Sequence, residues 1–179
     1  MPYAVTHLLT PLILVAILRD LMKKKFSLHY AFIAGFGGVL PDIDILISIV
    51  LKIIGLSNWQ IHKTFTHSLF FPLVLLVLFL ITKPISKKAR VCNIGRHKLT
   101  ISLIFLALSF GTLMHITLDT LLGAPSYLFN PISSVDYSLD VFGWVDNEIY
   151  PLVFPLLDGF MFIIWLIYLE WKHKISDVI

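Results

Sequence analysis

Three stretches of this chain set histidine and aspartate into otherwise apolar sequence: "GVLPDIDIL" with Asp42 and Asp44, "IHKTFTHSLF" with His62 and His67, and "LMHITLDTLL" with His115 and Asp119. A further histidine, His7, stands in "AVTHLLTP" near the start. On a helix, His115 and Asp119 fall at i and i+4 on one face, close enough to share a cation. Imidazole nitrogen and carboxylate oxygen together suit zinc, whereas manganese or magnesium prefers a more oxygen-rich set. Each stretch alone also has a plainer reading. His115–Asp119 reads equally as a buried hydrogen-bonded pair, Asp42 as a helix N-cap, and Thr64 or Thr66 as a cap of the next helix. The metal chemistry depends on elements that bring the stretches together.

Composition identifies those elements. The chain has 179 residues, 58% of them hydrophobic and 14% charged, with a mean hydropathy of +0.88. A soluble domain averages about 45–50% apolar and about 25% charged residues. A spanning helix needs about 20 apolar residues in succession, and residues 65–82, 99–122 and 148–171 qualify in length. Residues 4–22 are a weaker candidate, and 26–55 are long enough but interrupted at Pro41, which lacks an amide donor and restricts the residue before it. The expected fold is an all-α, polytopic integral membrane helical bundle of about five membrane segments, forming a single transmembrane domain over residues 1–179. The first apolar run does not read as a cleaved signal peptide, because Arg19 and Lys23 to Lys25 follow it rather than precede it. Cys92 is the only cysteine and excludes an internal disulfide.

Charge then orients the bundle. Lys and Arg gather at 19–25, 83–98 and 172–174, apart from Lys52 and Lys63, and the loop "KPISKKARVCNIGRHK" holds no acid. Such loops stay cytoplasmic. Five crossings with the N-terminus outside and the C-terminus cytoplasmic put all three clusters inside and the acidic stretch 136–148 outside. The basic loop is therefore expected to be a solvated cytoplasmic loop, with no nucleic-acid partner. On this topology His7, Asp42, Asp44, His62, His67, His115 and Asp119 converge at one depth on the outer face of the cell membrane. Aspartate at the centre of a membrane helix costs about 2.5–3.5 kcal/mol, so intramembrane ionisable groups are functional candidates by default. Asp158, mid-way along the last span, is expected either to meet a structural partner such as a hydroxyl or to join the site. The sequence leaves open whether 136–148 covers the site, and the oligomeric state.

The motifs "VTHLLTP", "GGVLPDIDIL", "HKTFTHSLF" and "GTLMHITLDTLLGAPSYLFNPIS", in this order, resemble the YdjM-type inner-membrane metal-dependent hydrolases over roughly residues 1–135. That family is marked by a Pro-Asp-x-Asp turn, a His-Arg-x-x-Thr-His-Ser block and a His-x-x-x-Asp helix; here Lys63 replaces the usual Arg. The motif order is also similar to the zinc-dependent phospholipase C and P1-nuclease group. That similarity implies one metal held by Asp44, His62, His115 and Asp119, with His7 at a neighbouring metal bridged by Asp119. No second His-x-x-x-Asp follows here, so the similarity implies one or two ions, with His67 and Asp42 standing in for the missing ligands.

The expected function is a membrane-embedded hydrolase with a divalent metal cofactor, zinc or manganese, cleaving a phosphate ester of a lipid or amphiphile. A bound metal brings the pKa of water down to about 7. Asp44, His62 and Asp119 are expected at the catalytic centre, and Lys63 is expected to bind the phosphate. Membrane lipid is then both environment and candidate substrate. A metal-free lipid phosphatase that uses a histidine nucleophile would need Arg at position 109 and a Ser-Gly-His block; position 109 is Ser and the block is missing. A metal-ion transporter is a rival, weakened by the apolar inner halves of the third and fourth spans. A scaffold with a structural metal is the other rival, because ligands alone do not reveal an open coordination position.

Overall fold

The structure is a computed structural model that describes residues 4–23, 25–53, 65–86, 90–92 and 99–173. Among the described residues six α-helices carry the fold: α1 (Ala4–Leu21), α2 (His29–Val39), α3 (Ile43–Ile53), α4 (Phe70–Ser86), α5 (Ile101–Leu121) and α6 (Tyr150–His173). A short antiparallel ladder joins β1 (Arg90–Cys92) to β2 (Leu99–Thr100) between α4 and α5.

Among the described residues three helices, α1, α5 and α6, are long and apolar enough to cross a membrane. A fourth span is counted if α2 and α3, bent by 48° at their junction, form one broken crossing. The expectation of about five spans is not met by these criteria, and the shortfall lies in α4. Residues 65–69 do not start the helix as the sequence suggested: Phe65–His67 make a 3-10 turn, and α4 begins only at Phe70. Its 17 residues rise about 25 Å, short of the roughly 30 Å hydrocarbon core.

Helix α5 lies at the centre, with α2 and α4 packed along it and α1 against α2; α6 leans mainly on α1. Lipid tails are as apolar as leucine, so small residues that allow close backbone approach hold membrane helices together. The α2–α5 seam follows that rule. A Cβ on Gly111 would strike the Ala34 carbonyl, and one on Gly37 would lie 2.7 Å from the Leu108 carbonyl oxygen. Gly38 meets α1 in the same way, at the His7 carbonyl. The buried apolar clusters are correspondingly small, among them Ala16 with Ala31 and Tyr168, and Tyr30 with Ala34 and Ala107. Large side chains such as Leu156 and Ile167 of α6 point outward.

Helix α6 is tied to α1 at two levels. Asp158 accepts from the backbone N–H and the hydroxyl of Thr6, which gives it the hydroxyl partner foreseen from sequence. At the other end Asp20 meets Lys172 Nζ at 3.4 Å and accepts from the Tyr168 hydroxyl at 3.2 Å. The stretch after α5 returns to the end of that helix: Leu139 N–H donates to Thr120 O at 2.8 Å and Val141 N–H to Leu121 O at 2.9 Å. These bonds satisfy carbonyls that a helix C-terminus otherwise leaves without partners. They also hold part of the acidic 136–148 segment beside the turn that carries Asp119.

Candidate metal centre

The break between α2 and α3 builds one wall of the site. Pro41 has no amide to give the Gly37 carbonyl, which accepts from Leu40 N–H at 3.3 Å instead. The Gly38 carbonyl, at the end of the helix, meets His115 Nδ1 at 2.7 Å. The chain turns at Pro41 and restarts as α3 at Ile43, which sets Asp42 at the junction and Asp44 in the first turn of α3. The glycine seam brings α2 close enough to α5 for the Gly38–His115 bond to form. That bond fixes the imidazole: Nδ1–H donates to the carbonyl, and Nε2 is left as the lone-pair nitrogen, the usual outer support of a metal-binding histidine.

Around His115 Nε2 the other groups gather. It lies 3.7 Å from Asp119 Oδ2 and 3.7 Å from Asp42 Oδ1. His7 Nε2, from α1, is 3.2 Å from Asp119 Oδ1. His67 Nε2, from the 3-10 turn, is 3.3 Å from Asp42 Oδ1. The His7 and His67 rings stand 4.0 and 5.0 Å from the His115 ring. His7, His115 and Asp119 form one set whose ligand atoms all lie within 4.8 Å of one another, and Asp42, His67 and His115 form a second. In a tetrahedral site with 2.0–2.1 Å bonds, ligand atoms sit about 3.3 Å apart, so these separations fit a cation held between them. His115 Nε2 is buried and makes no hydrogen bond among the described residues, and at 3.7 Å neither carboxylate is within hydrogen-bonding reach of it.

Asp44 takes a different place from the other carboxylates. It belongs to neither set; its Oδ2 accepts from Thr66 Oγ1 at 2.8 Å and lies 3.3 Å from His67 Nδ1. Asp44 therefore backs His67 from behind, while the Nε2 of that ring faces Asp42. Thr66, read from sequence only as a possible helix cap, completes this support with its hydroxyl 3.1 Å from His67 Nδ1. Gly38 was likewise invisible as a site residue, since its contribution is a main-chain oxygen. A signal existed for Thr66 in its position one residue before His67.

Six of the seven histidines and aspartates expected at the site thus come together from α1, the α2–α3 break, the 3-10 turn and α5. The seventh, His62, lies outside the described residues, as does Lys63. Asp158 is bonded to Thr6 and is not in either set. The cluster is closed on most sides: His7, Asp44, His67, His115 and Asp119 are each at most 4% exposed, whereas the Asp42 side chain is 30% exposed and marks the open side. Ser109 of α5, at the position where a metal-free lipid phosphatase would need Arg, donates to the Pro72 carbonyl at 2.8 Å and serves packing.

Fold and site together define a small helical membrane protein with a buried His/Asp cluster that could hold a metal ion. The model of the YdjM inner membrane protein family matches residues 1–175, and the chain belongs to that family. The match runs through α6, beyond the motif region that ends near residue 135. The similarity to the phospholipase C and P1-nuclease group finds no support in the comparisons. No curated protein and no solved structure matches the chain.

Proposed function

We propose that this protein is a membrane-embedded metal-dependent hydrolase that acts on a phosphate ester of a lipid or amphiphile. The observation that carries the reading is His115: a buried histidine with Nδ1 committed to Gly38 and Nε2 aimed between the carboxylates of Asp42 and Asp119. Three carboxylates packed with three neutral imidazoles at membrane depth would carry a negative charge, and a divalent cation held by those imidazoles would offset it. The ligands would be His7, Asp42, His67, His115 and Asp119, with Asp44 and Thr66 orienting His67. A nitrogen lone pair binds one ion, so the two sets, which share His115 Nε2, are best filled by one ion, zinc or manganese. When bound, such an ion supplies Lewis-acid activation of water at neutral pH.

The part-exposed Asp42 lies on the side from which water and a phosphate oxygen would enter, and its carboxylate can accept a proton from the entering water. From sequence alone, His62 stays a proposed ligand and Lys63 the proposed phosphate contact; both lie outside the described residues. Read with five crossings, the positive-inside pattern would set the N-terminus and the site at the outer face and the C-terminus in the cytoplasm; that orientation supports outer-leaflet lipid phosphates as the substrate class. The test is release of phosphate or diacylglycerol from lipid phosphates by the purified protein with zinc or manganese. The expected result is turnover lost in Asp119→Ala and His115→Ala. A metal-loaded wild-type protein that hydrolyses no phosphate ester would leave metal binding without this catalysis.

A further inference from the structure

The half of the bundle opposite the metal cluster contains a groove of about 410 Å³. Its walls come from the halves of α1, α2 and α5 that lie away from His7, Asp42 and His115. Leu14, Leu18 and Met22 form one side, Phe26 and Tyr30 the second, and Ala107 the floor from α5. Leu14 and Leu18 of α1 and Met22 just beyond it recur every four positions, so the stripe runs about 12 Å along the helix direction, most of the depth of one leaflet. Apolar cavities much smaller than this stay dry and take up hydrocarbon ligands, and the volume falls within the range of small-molecule sites.

Charge marks one end of the groove. Met22 and Phe26 bracket Lys23 and Lys25, both exposed, and Arg19 Nε donates to the Phe26 carbonyl at 3.0 Å. Asp20, the nearby acid, is already shared by Arg19, Lys172 and Tyr168. Lys23 sits just beyond α1 with φ +54, a left-handed conformation that glycine adopts with less strain. A lysine there, despite that strain, sets an exposed cation next in sequence to Met22, which lines the groove.

We propose that this groove is a binding site for one anionic phospholipid, an acyl chain lying along Leu14, Leu18 and Met22 and its phosphate meeting Arg19, Lys23 and Lys25. The site is separate from the metal cluster and does not depend on the hydrolase reading. A neutral lipid would fill the apolar wall equally well, and the basic mouth selects the anionic one. Juxtamembrane basic residues attract anionic lipid by about 1 kcal/mol each, so removing two charges should change selectivity about thirtyfold.

The experiment is native mass spectrometry of the full chain released from detergent containing equal phosphatidylglycerol and phosphatidylcholine. The wild type should retain one phosphatidylglycerol in clear preference. Lys23→Gln with Lys25→Gln should lose about thirtyfold of that preference while still retaining lipid. Ala107→Phe, which fills the floor, should lose the bound lipid. Leu103→Trp at the half-open edge should do the same, and because Leu103 is 36% exposed it does so without overpacking the helix seam. A wild type with no retained lipid, retention unchanged in Leu103→Trp, or an unchanged preference in the double lysine variant would each overturn the proposal.

Discussion

Gly37→Ala isolates the link between helix packing and the metal centre, because Gly37 contributes no side chain to the site. A Cβ at this position would lie 2.7 Å from the Leu108 carbonyl oxygen, 3.0 Å from Leu108 Cα and 3.2 Å from Gly111 Cα, all of them main-chain atoms of α5. None can rotate away, so α2 and α5 must separate by about 0.7 Å to restore ordinary contact. The Gly38 carbonyl is the next residue along, and its 2.7 Å bond to His115 Nδ1 would stretch to about 3.4 Å, past the useful range of an N–H···O bond. Overpacking should cost about 1–3 kcal/mol, partly offset by up to about 1 kcal/mol of helix propensity. Loss of the outer support of a histidine ligand should weaken metal binding about 10–100-fold. The assay is zinc titration with thermal unfolding in detergent, beside Gly159→Ala, whose Cβ would meet nothing within 4 Å. Gly37→Ala should lose affinity and Gly159→Ala should not. Wild-type affinity in Gly37→Ala would refute the claim that the glycine seam sets the His115 ring.

The two aspartates of the α2–α3 break should behave differently. Asp42→Asn removes a proposed ligand and should abolish stoichiometric metal, while Asp44→Asn should reduce affinity only about 10–100-fold by loosening His67; the reverse order in metal titration would exchange their roles. Asp158→Ala leaves the Thr6 N–H and hydroxyl without their acceptor and should destabilise the bundle by about 1–3 kcal/mol with metal content per folded molecule unchanged. Metal loss in that variant would place Asp158 in the site. Zinc at about 100 times its dissociation constant should stabilise the wild type by about 2.7 kcal/mol over the chelated protein, and identical unfolding temperatures would argue against specific binding.

The convergence of the site was legible because two independent patterns agreed. Lys and Arg suggested an orientation on which the His/Asp motifs fell at one depth, and the i, i+4 spacing of His115 and Asp119 and the Pro41 break pointed to the same grouping. The boundaries were less legible. The apolar run 65–82 looked like one helix, but the 3-10 turn that holds His67 consumes its first residues, and periodicity does not distinguish a turn from a helix within an apolar stretch. The division of labour between Asp42 and Asp44 was hidden too, since two carboxylates two residues apart differ only in which way the restarted helix turns them. Gly38 acts through a carbonyl, and main-chain contributions carry no residue signature. Thr6 and Asp158 are 152 residues apart, and nothing local pairs them.

The central claim is that the His/Asp cluster holds a metal ion. Elemental analysis of the detergent-purified protein tests it most directly, with wild type beside His115→Ala, Asp119→Ala and the packing control Asp158→Ala. One equivalent of zinc or manganese in wild type and Asp158→Ala, and none in the two ligand variants, is the expected result. A wild type that binds no divalent metal even after reconstitution, or ligand variants that keep a full equivalent, would contradict it.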